Sequence, residues 1–257
     1  MQDFFEQLKN DNIPQEIRIT PLHREYERPA VNYREAFRYA GMPAAYYKGD
    51  SKGEDAQYIA KLKARCEKCG NKCDFEANIM HPCEEEKDEA LNNLLDEMLR
   101  LADKELTYRI SYCCLPLTFD EKGMPIFPFE HNSQDLTTNL NGCKGVLIFA
   151  ATIGAGIDRL IRRYERVAPA KALMLQGLGA ERVESLCDLF NDEVTKTAAE
   201  YGLKTHPRYS PGYGDMPLNV QPIVLDMVDA GKRLGITISD SCLMSPSKSV
   251  TAIIGIE

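Results

Sequence analysis

No dense stripe of lysine and arginine runs through these 257 residues, and the formal net charge is −8. Together these argue against nonspecific nucleic-acid binding, which needs a basic surface. Long apolar runs are also missing. The longest, Gly145 to Ile157, is too short and too polar at its centre to cross a bilayer. The opening MQDFFEQLKN has no basic segment leading into an apolar one, so no signal peptide is expected and the protein is read as cytoplasmic. Nine cysteines in such a setting point to thiols, a metal or a cluster before disulfides, and the odd count agrees. What is present is ordinary for a soluble protein, 44% hydrophobic and 27% charged, with enough length for one large domain or for a domain plus an appendage.

Along the chain, EIRITPL alternates Ile17 and Ile19 as a brief strand would. Asn32 is placed to cap a helix through YREAFRYAG, with Gly41 as its stop. Between residues 49 and 86 apolar residues thin out and charges rise, which marks an insertion or small subdomain within a single domain spanning 1–257. Leu91, Leu94, Leu95, Met98, Leu99 and Ala102 then follow the spacing of one buried helix face. TYRISYCCLPL reads as a strand ending at Pro116, with Cys113 and Cys114 on opposite faces. Asn132 and Ser133 are candidate caps, and His131 is expected to make a surface hydrogen bond. GVLIFAATIG is apolar enough for a central strand covered on both faces. It runs into Gly154 and Gly156, but Arg159 stands where a dinucleotide loop needs its third glycine, which argues against a Rossmann site. A long helix is predicted from Pro169 or Ala170 to Tyr201, interrupted near Gly177 and Gly179, with Val183, Leu186, Cys187, Phe190 and Val194 as its buried stripe. One amphipathic helix is predicted over LNVQPIVLDMVDAGKRLGI, interrupted near its start by Pro222, and a buried strand over the alternation ending in Val250, Ala252 and Ile254.

Three features stand out as chemistry. In RYSPGYGDMP, Pro211 presets φ for the first corner of a type II turn and Gly212 supplies the positive φ of the second, so the chain reverses between Arg208 and Tyr213. A guanidinium there suits a carboxylate or phosphate, and the tyrosine adds a flat face with a polar tip; a solvated surface turn is the plainer reading. Upstream, Gly177, Ala180 and Glu184 share one helix side, either a bare surface for a ligand ending at a carboxylate or simply a close helix contact. Separately, Cys66, Cys69, Cys73 and Cys83 supply enough thiolates for a tetrahedral zinc site or an iron–sulfur cluster, although their spacing is neither the common ferredoxin run nor a standard zinc finger. His81, beside Pro82 and Cys83, could substitute as a ligand, and an incidental histidine is the plainer reading.

Arg208, Gly212, Tyr213, Pro217, Leu234, Gly235, Pro246, Ser249 and Val250 occur in the order and spacing of a known pattern. Over some fifty residues the chain resembles the C-terminal activation domain of cobalamin-dependent methionine synthase and its stand-alone relatives, and weaker likeness extends upstream through VESLCDLF to the AATIG strand and the helix at YREAFRYAG, covering most of the chain except the cysteine segment. The resemblance implies an α+β fold with a bent antiparallel sheet and packed helices, here with a Cys-rich insertion. It implies binding of S-adenosylmethionine, with Arg208 gripping the ligand carboxylate, Pro211, Gly212 and Tyr213 shaping the pocket, and Glu184 as a polar contact. It assigns no catalytic acid or base, because the family's activity is reductive methylation of cob(II)alamin. Three departures follow. Ala252, Ile253 and Ile254 stand where the fused enzymes carry aromatics, tryptophan is absent, and the ligand-binding aspartate near the N-terminus has no counterpart. The chain also lacks an Asp-x-His-x-x-Gly corrinoid signature, so cobalamin would come on a partner, a separate methionine synthase, with flavodoxin or ferredoxin as electron donor. A cluster on the cysteines would serve as an electron relay, and structural zinc is the plainer account. An independent S-adenosylmethionine-dependent methyltransferase and a noncatalytic metal-binding or corrinoid-protein module are the rival readings.

Overall fold

The computed structural model describes residues 1–11, 19–42 and 82–257. They fall into two compact units, one of Met1–Val31, Glu105–Arg159 and Arg182–Glu257, the other of Asn32–Lys104 and Leu160–Glu181.

The first unit is built on a four-stranded antiparallel sheet. Its strands are β1 (Leu22–Tyr26), β2 (Tyr108–Pro116), β3 (Gly145–Thr152) and β6 (Ser249–Ile256), in the order β1-β2-β3-β6, while the short β4 (Thr237–Ile238) and β5 (Met244–Ser245) pair with each other. All eight residues of β3 are buried, as its unbroken apolar run predicts for a central strand. The register sets Cys113 opposite Ile148 and Ala252 opposite Phe149. Beyond β6 the segment from Lys204 to Tyr209 continues the sheet irregularly, with bridges Thr205 to Ile256 and Tyr209 to Ile253. Tyr209 and Ile253 exchange both backbone hydrogen bonds at 2.8 Å.

Each sheet face has its own cover. On one, Cys113, Leu115, Val146, Ile148, Ala150 and Ile253 pack with Leu136, Val224, Val228 and Leu234. On the other, Phe190 of the long helix inserts among Tyr26, Tyr112 and Phe149, with ring centroids 5.1 to 6.4 Å apart. The aromatic edge-to-face geometry adds to the burial that holds helix and sheet together.

Among the described residues the helices are α1 (Gln2–Lys9), α2 (Tyr33–Tyr39), α3 (Pro82–Ala102), α4 (Gln134–Asn139), α5 (Gly156–Tyr164), α6 (Pro169–Glu200), α7 (Gln221–Met227) and α8 (Ala230–Leu234). Asn32 caps α2 through its side chain, and Ser133 does the same for α4. In the second unit, Leu95, Met98 and Ala102 of α3 are fully buried, and ion pairing joins Lys171 to Glu97.

Four expectations change. The strand before residue 30 runs Leu22–Tyr26, starting at the last residue of EIRITPL, and residues 16–18 of the proposed strand lie outside the described residues. The helix α6 runs unbroken through both glycines, because tertiary contact there tolerates the small backbone cost of glycine. The single helix expected over 218–236 is three pieces: a 3-10 turn at Leu218–Val220, then α7, then α8 after Asp229, which sits in the left-handed region at φ 52°. Pro222 causes no break, because it lies in the first turn of α7 where a missing N–H costs nothing. Lastly, His131 makes its hydrogen bond, Nε2 donating to Pro125 O at 2.8 Å, but its ring stands edge-on to Phe127 and Phe129, so it is half-buried in an aromatic cluster.

Candidate functional site

The turn forms as its residues dictate. Tyr213 N donates to Ser210 O at 3.1 Å, Pro211 occupies the first corner and Gly212 the second with φ of 84°, which is a type II turn. Gly212 N then donates to Met216 O at 3.0 Å, closing the loop behind it. Pro211 and Met216 are buried and root the loop, while Tyr213 keeps 70% of its surface exposed. Its ring meets that of Tyr209 edge-on at 5.7 Å, and the Tyr209 hydroxyl donates to Tyr213 O at 3.1 Å.

Asp215 fastens the far side of the loop to the start of α4. Its carboxylate accepts from the Ser133 hydroxyl and from the N–H groups of Gln134 and Asp135, at 2.7 Å for the former amide. The hydroxyl bond from Ser133, followed by the bonds from those backbone amides, holds the Asp215 carboxyl below its ordinary range. A carboxylate borrowed from a distant loop thus satisfies helix-end donors. In return, Asp215 N donates to Asp135 Oδ2 at 3.3 Å.

Arg208 leaves the sheet-edge segment toward α6. Its Nη2 donates to Glu184 Oε2 at 2.9 Å and its Nη1 to Asp188 Oδ1 at 2.5 Å. Glu184 and Asp188 are one helical turn apart and so share a face. Burial would lower the Arg208 pKa, but the hydrogen bond to Asp188 and the neighbouring negative charges outweigh it, so the guanidinium is held above its ordinary value. The cation is therefore permanent, only 26% exposed, and oriented by two acids.

The structure brings Arg208 together with Glu184, and Pro211, Gly212 and Tyr213 are continuous with them along the loop. Gly177 is used differently. A Cβ there would strike the carbonyl oxygen of Ala36 and lie 2.6 Å from Ala40 Cβ, so the bare face receives α2 and its C-terminal residue. Close helix packing through Gly177, half of the plainer expectation, is observed, but Glu184, which that expectation left in solvent, pairs with Arg208. Asp188 escaped sequence reasoning, although a carboxylate four residues after Glu184 on a predicted helix was a usable signal. Cys66, Cys69, Cys73 and His81 lie outside the described residues, as does the side chain of Cys83, the second residue of α3. Among the described residues no group of three or more His, Cys, Asp or Glu is placed to hold a metal ion, and no helix is long and apolar enough to cross a membrane.

The solved structures supply a likeness at this level of geometry. A crystal structure titled as the MetH reactivation domain bound to AdoHcy superposes with a TM-score of 0.59, covering 95% of this chain and 80% of that one. The fold is similar to that of the MetH reactivation domain. Sequence identity with the MetH reactivation domain is 14%, so what the two share is architecture, an α+β arrangement with a four-stranded antiparallel sheet and packed helices. No family model matches the sequence, and no curated protein matches it.

Proposed function

We propose that this chain binds S-adenosylmethionine at the Arg208 turn and acts as a reactivation protein for a separate cobalamin-dependent methionine synthase. The observation that carries the reading is the ion pair of Arg208 with Glu184, set at a preformed turn in a fold similar to a domain whose solved structure holds AdoHcy.

The donor set fits the ligand. An amino-acid head group offers a carboxylate and an ammonium, and the site offers one guanidinium and two carboxylates within a single cluster. A guanidinium has five N–H donors, so bonds to Glu184 and Asp188 leave others for a ligand carboxylate. Tyr213, exposed on a rooted turn, presents a flat ring for a purine. When bound, S-adenosylmethionine supplies an activated methyl group on a charged sulfur. The residues here bind and orient it, and no proton has to move, so the site needs no general acid or base. Cobalamin is carried by the partner, and a flavodoxin or ferredoxin supplies the electron. The four cysteines take no part in this reading.

Calorimetric titration of the full chain with S-adenosylmethionine tests it. The expected result is saturable one-site binding that weakens at least about tenfold in Arg208→Ala and in Tyr213→Ala. Absence of binding to the wild type overturns the reading, and undiminished binding in both variants moves the site elsewhere. Methyl transfer to an unrelated acceptor with no corrinoid protein present would favour an independent methyltransferase.

A further inference from the structure

We infer that Asp188 makes the Arg208 turn selective for the positively charged sulfonium form of its ligand over the neutral thioether that remains once the methyl has gone. The inference rests on the proposal that this turn binds S-adenosylmethionine. It follows from the charges held together: Arg208 is a single cation contacted by two carboxylates, Glu184 at 2.9 Å and Asp188 at 2.5 Å, which leaves one negative charge over.

An amino-acid head group is itself neutral at pH 7, with one carboxylate and one ammonium. It can match the guanidinium and one of the two acids, and the second acid then has no counterpart in the head group. A sulfonium provides that counterpart and a thioether does not. When the methyl leaves, the bonding pair stays on sulfur and the positive charge departs with the methyl to its nucleophilic acceptor. The spent ligand thereby loses attraction for the site, which favours its release.

Asp188 is assigned the surplus charge for two reasons. Its side chain is 66% exposed against 36% for Glu184, so although it holds Arg208 at the shorter distance it is the acid more open to an incoming cationic group. The other carboxylates at the turn, Asp135 and Asp215, are already spent on backbone N–H groups at 3.4 Å or less. Between partly exposed charges several ångströms apart, one surplus unit corresponds to a preference of about tenfold at low salt, and added salt screens it.

The experiment is calorimetric titration of the full chain with S-adenosylmethionine and with S-adenosylhomocysteine, at about 50 mM and about 500 mM salt. Wild type is expected to prefer the sulfonium by about tenfold at the lower salt and by less at the higher. Asp188→Asn is expected to cut the preference to about threefold or below, chiefly by weakening the sulfonium ligand. Asp188→Glu, which keeps the charge, retains it. Glu25→Gln makes the same charge change at an exposed residue of β1, on the opposite sheet edge, and leaves it unchanged. An Asp188→Asn preference equal to wild type overturns the inference, as does loss of preference in Asp188→Glu. Failure of the wild type to bind either compound overturns the underlying proposal as well, which separates the two failures.

Discussion

Arg208 reaches Glu184 across 24 residues of sequence, at 2.9 Å, and on its other amino group it holds Asp188, one turn further along the same helix. A long flexible side chain is thereby fixed in direction before any ligand arrives, at a place where the neighbouring turn is fixed by Pro211 and Gly212. Preorganisation of this kind lowers the entropy that binding would otherwise cost.

Because those ion pairs are partly solvated, Arg208→Lys is expected to lose little stability, about 1 kcal/mol or less, while losing much of the affinity. An ammonium cannot present two parallel donors to a carboxylate while also meeting both acids. Urea denaturation beside ligand titration separates the two effects. Recovery of wild-type affinity by lysine would show that charge alone suffices at position 208.

Asp215→Asn should destabilise the protein at neutral pH, through loss of the carboxylate that serves the start of α4. The carboxyl's folded pKa is depressed, chiefly by the Ser133 hydrogen bond, so its contribution is full above the unfolded value near 4 and is lost as pH falls through the lower folded value. Melting temperatures of wild type and variant should therefore differ at pH 7 and converge as the pH drops below about 4. A constant gap across that range would mean the charge is irrelevant to the cap.

Much of this site could be read before folding because its determinants are local. Pro211 and Gly212 specify a turn through their own φ values, and the Val183, Leu186, Phe190 and Val194 stripe specifies which side of α6 is buried. What lay beyond sequence were relations between distant segments. Asp215 serving α4 across 80 residues depends on where two loops meet, and the break at Asp229 overrides a periodicity that reads as one helix. Gly177 shows the same limit from the other side. A bare helix face looks identical whether ligand or protein fills it, and only the approach of Ala36 and Ala40 decides.

Thiol chemistry should divide the described cysteines. Burial pushes Cys113 up to about 12, and Cys114 and Cys143 up to about 11, and it raises fully buried Cys187 as well. Iodoacetamide labelling at pH 8, followed peptide by peptide by mass spectrometry, should mark these four at least about 100-fold more slowly in the native protein than in urea. Cys242, partly exposed on the β4–β5 connection between Thr237–Ile238 and Met244–Ser245, should react first among the described thiols. With folded pKa values raised, their stabilising contribution holds below about pH 8.5 and declines as pH climbs from there through the folded values. A native protein no less stable at pH 10 than at pH 8 would contradict the assignment.

Gly177→Ala sets helix propensity against packing. In an exposed helix interior the change would stabilise by up to about 1 kcal/mol. Here the added methyl meets a backbone carbonyl at Ala36 and, at 2.6 Å, both the amide nitrogen and the Cβ of Ala40, none of which can swing aside as a side-chain tip does. Relief requires moving α2 and its C-terminal residue, and overpacking of a well-filled contact costs about 1–3 kcal/mol or more, so the expected net outcome is destabilisation by about 2 kcal/mol in urea unfolding. Ala40→Gly in the same chain removes one of the obstructing atoms and leaves the Ala36 carbonyl in place. It should therefore recover only part of the loss, and full recovery would locate the conflict at the Ala40 methyl instead of the backbone.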